Sequence, residues 1–208
     1  IAQVTEIDRE VFPTQWPSAN YQHELQNRLA HYIVACDDEE KTVDEPEMKS
    51  LPEKGFLRLV PRVRRLFNHN RFFGNGLPAS GRKYIIGFAG FWLMAEEAHI
   101  TNVAVREAYR HQGIGELLLI SIIDLAVELK ACVITLEVRI SNTAAQSLYS
   151  KYGFTQTGLR RGYYTDNRED GVLMSTENIT SVSFQARFQQ LKQAHSRKWG
   201  VALYHIAR

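Results

Sequence analysis

The sequence predicts one α/β domain, and three observations predict it. Residues 99–155 read as strand, turn, helix, strand, helix, the alternation that builds a sheet with helices packed on it. The 208 residues suffice for one domain with a sizeable core, and a hydrophobic share of 44% is ordinary for a soluble globular chain. No apolar run approaches the ~18–20 residues of a membrane span.

The elements follow in order. VTEIDREV, residues 4–11, reads as a short helix, and FPTQWP breaks it with two prolines. A second helix is predicted from about Asn20 to Leu29, with Tyr21, Leu25 and Leu29 every four residues. HYIVAC, from His31 to Cys36, is a strand. Residues 37–54 are acidic and poor in apolar side chains, a composition that favours disorder. Residues 56–71 are basic and apolar, and FGNGLPASG is a turn-rich loop. Lys83 to Met94 is a strand in which Gly87 and Gly90 mark a bulge or a close backbone approach.

The block that organises the chain comes next. His99 to Val105 is a strand, and Ile114 to Lys130 is a helix with Leu117, Leu118, Ile122, Leu125 and Leu129 at helical spacing. Cys132 to Val138 is a β-branched, alternating strand. A helix opens at Ser141-Asn142, good capping residues, and closes at Gly153. Beyond it lie a strand, a loop from Arg160 to Glu169, and a strand at about Asp170 to Thr176. A helix from Ser183 to about Lys198 places Phe184, Phe188, Leu191 and His195 on one side.

Composition excludes some classes of function. A net charge of +2 gives no basis for wholesale nucleic-acid binding by the core. Cys36 and Cys132 lie in strand-like apolar runs and read as reduced core thiols, neither a disulfide nor a metal pair. No metal site and no signal peptide are visible, so a reduced, cytoplasmic setting is expected.

Between the first strand and the long helix stands Arg110-His111-Gln112-Gly113-Ile114-Gly115. Glycines here allow positive φ or close approach of a ligand to the backbone. The N–H groups that open a helix have no partner within it, so the turn can cradle a pyrophosphate. The spacing R-x-x-G-x-G is neither the dinucleotide fingerprint nor the P-loop. Alone, it is equally a turn that holds two glycines.

Five stretches give the turn a context: NVAV (Asn102 to Val105), YRHQGIG (Tyr109 to Gly115), LEVRISNTAAQSLY (Leu136 to Tyr149), YGF (Tyr152 to Phe154) and RRGYY (Arg160 to Tyr164). On these the chain resembles the GNAT acyltransferase superfamily, and more narrowly the bacterial N-terminal acetyltransferases that modify a ribosomal protein. The resemblance covers roughly residues 1–36 and 83–178. It implies the GNAT fold: a mixed, mostly antiparallel sheet flanked by helices and splayed between the family's fourth and fifth strands. In that family the fold opens with a strand before the first helix; here that strand would lie upstream of Ile1 or be absent.

The resemblance also implies roles. Acetyl-CoA is the cosubstrate, held by the backbone of Val103, Ala104 and Val105, by the turn Arg110, His111, Gln112, Gly113, Ile114, Gly115 and Glu116, and by Asn142. Glu116 stands where an arginine is usual and adds negative charge near the phosphates. Glu137 matches the family's general base. It alternates with Thr135 and Arg139 on one face of its strand, and a carboxylate among apolar neighbours is expected to have a raised pKa. The alternative is a partner for Arg139. Tyr149 matches the general acid, and as a mid-helix tyrosine it is equally a core aromatic. Glu6, Phe12 and Trp16 border the acceptor-peptide groove in this reading, and Tyr163 and Tyr164 flank it from a loop.

The expected organisation is one acetyltransferase domain over 1–178, with 37–82 an insertion between two strands, and a C-terminal helical extension over 179–208. The expected activity is acetylation of the α-amine of a protein or peptide N-terminus, with a ribosomal protein as partner. Two alternatives stay open: a family enzyme acting on a lysine side chain or a small-molecule amine, and a non-catalytic CoA-binding module.

Overall fold

A computed structural model describes residues 1–12, 21–41, 83–200 and 205–207. Its centre is a seven-stranded sheet in the order β5-β6-β4-β3-β2-β1-β7. The strands are β1 (Ala30–Lys41), β2 (Lys83–Met94), β3 (Glu97–Val105), β4 (Val133–Arg139), β5 (Phe154–Tyr164), β6 (Glu169–Thr176) and β7 (His205–Ala207). Every neighbouring pair is antiparallel except β3 and β4. Those two pair only from Glu97–Ile100 against Val133–Leu136, and their later residues do not pair with each other. The mixed sheet and its splay are those of the GNAT fold. The family's fourth and fifth strands are β3 and β4 here.

Strand alternation sends side chains to two cores. Ile33 and Ala35 of β1 join the larger core, while Tyr32 lies in a smaller one with Ile7, Tyr21, Phe88 and Ala104. Helix α3 (Ile114–Glu128) buries eight of its residues from Leu118 to Ala126, and all but Ser121 join the larger core. Each fully buried Leu or Ile there stabilises by about 1.5–3 kcal/mol relative to exposure. Helix α1 (Ala2–Val11) covers the opposite face through Ile7. Buried Arg106 anchors it: its guanidinium reaches Glu6 at 2.9 Å and Glu10 at 3.4 Å, and its Nε donates to the Ile85 carbonyl at 2.9 Å.

Glycine acts in β2 as the sequence predicts. A Cβ at Gly90 would lie 2.6 Å from the Tyr32 ring, and the register with β3 shifts between Gly90 and Phe91. Helix α4 (Thr143–Lys151) is capped by Asn142, whose side chain accepts from Ala145 N. Gly153, at φ +89°, follows its end. Helix α5 (Val182–Trp199) buries Phe184, Phe188 and His195.

Several boundaries differ from expectation. Helix α2 is one turn, Tyr21–Glu24, and not Asn20 to Leu29. Leu25 and Leu29 are exposed, so the stripe they form covers nothing, and the Asn27 side chain accepts from Leu29 N and turns the chain out of the helix. Residues 37–41, expected in a disordered acidic segment, extend β1. The remainder of that connection, residues 42–82, lies outside the described residues, as do its arginines. The expected loop from Arg160 to Glu169 is a hairpin: Tyr163 and Tyr164 belong to β5, and Tyr164 pairs with Glu169. Arg139 organises its tip, reaching Asp166 at 2.9 Å and Glu169 at 3.1 Å. Finally, the sheet edge beside β1 is taken by β7, in register Tyr32–Ala207 and Val34–His205.

Candidate active site

The first half of the site is made of backbone. After β3 the chain makes a short 3₁₀ turn at Glu107–Tyr109, and Gly113, at φ +80°, becomes the N-cap of α3. Among the described residues, no side-chain hydrogen bond caps that helix start. Its first N–H groups therefore remain for a ligand. A Cβ at Gly115 would meet nothing nearer than Val105 Cγ2 at 3.9 Å, so the approach is open there. Arg110 folds back with its Nε 3.4 Å from the Val105 carbonyl, and Gln112 Nε2 donates to the Ala108 carbonyl at 3.1 Å. His111 takes φ +61°.

Val103, Ala104 and Val105 pair with β2 through Gly87–Ala89 on one side. On the other side the ladder to β4 has already ended. A backbone edge thus faces the cleft between β3 and β4, as adding an extended amide chain requires. Asn142 stands beyond the far end of β4. These features suit a pyrophosphate with an amide-bearing arm.

Glu116 does not project an unpaired charge from this turn. Its Oε1 accepts from Lys151 Nζ at 2.5 Å and from Tyr152 Oη at 2.7 Å. Burial pushes its carboxyl up, but those hydrogen bonds and the Lys151 charge outweigh burial and leave it lowered.

The second half of the site is Glu137. Its side chain is 7% exposed and divides its two oxygens. His99 Nε2 lies 3.1 Å from Oε2, and Arg160 Nη1 lies 2.8 Å from Oε1. The hydrogen bond with His99, aided by the charge of Arg160, overcomes burial and holds the carboxyl below the usual glutamate range. The expectation of a raised pKa is therefore corrected: apolar neighbours on the strand say nothing of the two basic groups that arrive from β3 and β5. Pairing with Arg139 is not seen either, because that guanidinium goes to the β5–β6 turn. A cavity of about 130 Å³ opens beside Glu137, walled in part by Glu97, His99, Thr135, Thr157 and Arg160.

Tyr149 is buried in α4 with its ring 5.7 Å from that of Phe154. Burial pushes its hydroxyl up to about 12. It does not line the Glu137 cavity. Burial pushes the Tyr164 hydroxyl up, and Arg139 lies 4.0 Å over its ring. Tyr163 stands edge-on to Tyr164 at 5.2 Å, with Arg160 5.3 Å over its face. Phe12 is exposed at the end of α1. Glu6 is engaged with Arg106, and Trp16 lies outside the described residues.

Sequence reasoning missed several groups here. His99 and Thr135 stand opposite each other in the β3–β4 register, so only knowledge of that pairing brings them to Glu137. Arg160 sat in the RRGYY stretch with no assigned role. Trp199 gave no signal. Its indole rests on Gly113, where a Cβ would come within 2.7 Å of the ring, and His195 Nε2 donates to the Gly113 carbonyl at 3.0 Å. Lys192 pairs with Asp124 of α3, fastening α5 alongside.

Comparison with known proteins gives a consistent result. The Acetyltransferase (GNAT) family matches residues 39–154. A Bacillus subtilis (strain 168) protein, named as a candidate ribosomal protein bS18-alanine N-acetyltransferase, is 31% identical over 175 residues, 84% of this chain and 87% of its own. The ribosomal protein bS18-alanine N-acetyltransferase of Escherichia coli (strain K12) is 37% identical over 107 residues, 50% of this chain and 71% of its own. A crystal structure of the Escherichia coli ribosomal-protein-S18-alanine N-acetyltransferase shares the fold, with a TM-score of 0.59 at 22% identity over 85% of this chain and 86% of that one.

Proposed function

Since the chain belongs to the GNAT acetyltransferase family, we propose that it transfers acetyl from acetyl-CoA to the α-amine of a protein N-terminus, and that its acceptor is a ribosomal protein of the bS18 kind. The observation that carries this reading is Glu137: an ionised carboxylate at the wall of a small cavity, where β3 and β4 part.

Acetyl-CoA supplies the acetyl group as an activated thioester. The chain supplies position and protons. The free N–H groups of α3 at Ile114 and Gly115 take the phosphates, and the open edge of Val103–Val105 takes the amide arm. An N-terminal amine has an ordinary pKa of about 7.7–8.0, so near pH 7.5 a sizeable fraction is already neutral. Glu137 accepts the proton from the rest, and a modest base suffices. Tyr149, kept protonated by burial, donates to the leaving sulfur as the amide forms. Tyr163 and Tyr164 line the approach from β5 and exclude water by their rings.

A panel of peptides tests this reading. Each carries a free N-terminus and one internal lysine, with the first residue varied, and each is incubated with acetyl-CoA. The expected product carries one acetyl group on the α-amine, formed fastest with alanine first. Acetyl on the lysine side chain in preference to the α-amine overturns the acceptor assignment. Bound CoA with no turnover on any peptide overturns the enzymatic one.

A further inference from the structure

A trans peptide group is planar, so its C=O and its N–H point in opposite directions. In the peptide that joins Gly113 to Ile114, the N–H is one of the donors assigned above to the phosphates. Whatever fixes the Gly113 carbonyl therefore aims the Ile114 N–H. Two donors fix it: Leu117 N at 2.9 Å, as α3 begins, and His195 Nε2 at 3.0 Å, from α5. A carbonyl oxygen only accepts, so Nε2 of His195 carries the hydrogen. A peptide whose oxygen accepts is also polarised, which makes its N–H the stronger donor to an anion.

His195 is held in place by its helix. Its ring is buried, and Phe184 and Phe188 of α5 lie in the larger core. Lys192 pairs with Asp124, which ties α5 along α3. One turn beyond His195, Trp199 fills the place of a Gly113 side chain, where a Cβ would lie 2.7 Å from indole Cδ1 and Nε1. The two residues stand four apart and so share a face of the helix. They hold the same glycine, one by its carbonyl and the other at its open Cα. Helix α5 lies beyond residues 39–154, so this contact comes from outside the part of the chain that matches the family.

We propose that His195 and Trp199 are positioning residues for acetyl-CoA: from the C-terminal helix they hold the Gly113 peptide so that the Ile114 N–H is aimed at the phosphates before the cofactor arrives. A turn already held in its binding conformation loses little freedom on binding, which raises affinity. Both residues act through Gly113. Their effect falls on cofactor binding and not on the chemical step, whose groups stand on β4 and α4. This role rests on the reading of the α3 start as the phosphate site.

His195→Phe keeps a ring and removes the donor, and His195→Gln returns an Nε2 donor. Trp199→Leu withdraws the indole from Gly113 at a half-buried position. Affinity for CoA is measured by calorimetry, which needs no acceptor, and steady-state constants are measured on a peptide that the parent enzyme acetylates. For His195→Phe, the Kd for CoA is expected to rise on the order of tenfold, the effect of losing about one hydrogen bond. The KM for acetyl-CoA should rise with it, while kcat at saturating acetyl-CoA and the KM for peptide stay unchanged. His195→Gln should recover most of the affinity, and Trp199→Leu should weaken CoA binding in the same way. Parent-like affinity in His195→Phe overturns the proposal. So does a matching fall in kcat that His195→Gln does not rescue, the mark of a general packing defect. Tighter binding in Trp199→Leu also overturns it, because the indole then obstructs the site. If His195→Phe does not fold, Trp199→Leu decides by the same affinity and kcat criteria. Gly115→Val tests the reading beneath: a side chain there meets no internal collision and stands at the helix start. Full affinity in Gly115→Val sinks the phosphate site itself, whereas loss there with none in the α5 variants sinks the positioning role alone.

Discussion

Glu137 presents one oxygen to His99 and the other to Arg160, and this decides what it can do. Its carboxyl is held below the ordinary range, so it is ionised wherever the enzyme works. It is ready to accept a proton but holds one weakly. Tyr149 is its counterpart: burial keeps its hydroxyl protonated up to about 12, which suits a donor. Tyr149→Phe keeps the ring that packs on Phe154. Turnover should fall, roughly 10²-fold or more if the hydroxyl is the acid, while the thermal midpoint changes little. A sharp drop in midpoint with an unchanged rate per folded molecule would make the hydroxyl structural. The places of Glu137 on β4 and of Tyr149 in α4 were legible because their local patterns, LEVRISN and the helix that follows, are contiguous in the chain. His99 and Arg160 were not, because they reach Glu137 only through strand pairing and the β5–β6 hairpin.

The glycine turn is an element with two demands on one residue. Gly113 sits in the left-handed region, and its missing Cβ leaves room for the Trp199 indole. A β-branched residue there is strained by roughly 1–2 kcal/mol in backbone alone and must also displace the indole. Gly113→Val should therefore lower the unfolding midpoint and abolish acetyl-CoA binding by calorimetry. Adding Trp199→Ala should recover part of the stability, by relieving the collision, and none of the binding. Near-normal affinity in Gly113→Val would place the cofactor elsewhere. The turn was legible from its spacing, as was α4 from its Asn142 cap. Helix α2 was not: its leucine stripe satisfied the helical period but has nothing to cover. The β5–β6 hairpin was hidden by polar residues at its tip, where Arg139 gathers Asp166 and Glu169 from a distant strand.

At the scale of the molecule, the long connection between β1 and β2 begins and ends at one point, because Lys41 and Lys83 are register partners. A short glycine-containing turn spans that gap, and shortening a flexible loop lowers its closure cost, by about 0.6 kcal/mol per halving. Replacing residues 42–82 by such a turn should preserve folding and acetylation of short free peptides. Loss of either would assign that segment to the core or the active site. The sheet's other end shows what a local pattern cannot reveal: three residues near the C-terminus complete the edge beside β1, a pairing across the whole chain. The catalytic claim for the whole molecule meets its most direct test in the pH dependence of Glu137→Gln on a peptide with a free N-terminus. Because Glu137 is held ionised, its own titration does not shape the profile near neutrality; the amine's does, at about 7.7–8.0. The variant's kcat/KM should lie roughly 10²–10⁴-fold below the parent enzyme's under acidic conditions. The deficit should shrink steadily as pH rises past the amine's midpoint, where substrate arrives already neutral. A deficit of the same size at every pH, or no deficit below the amine's midpoint, would contradict Glu137 as the base.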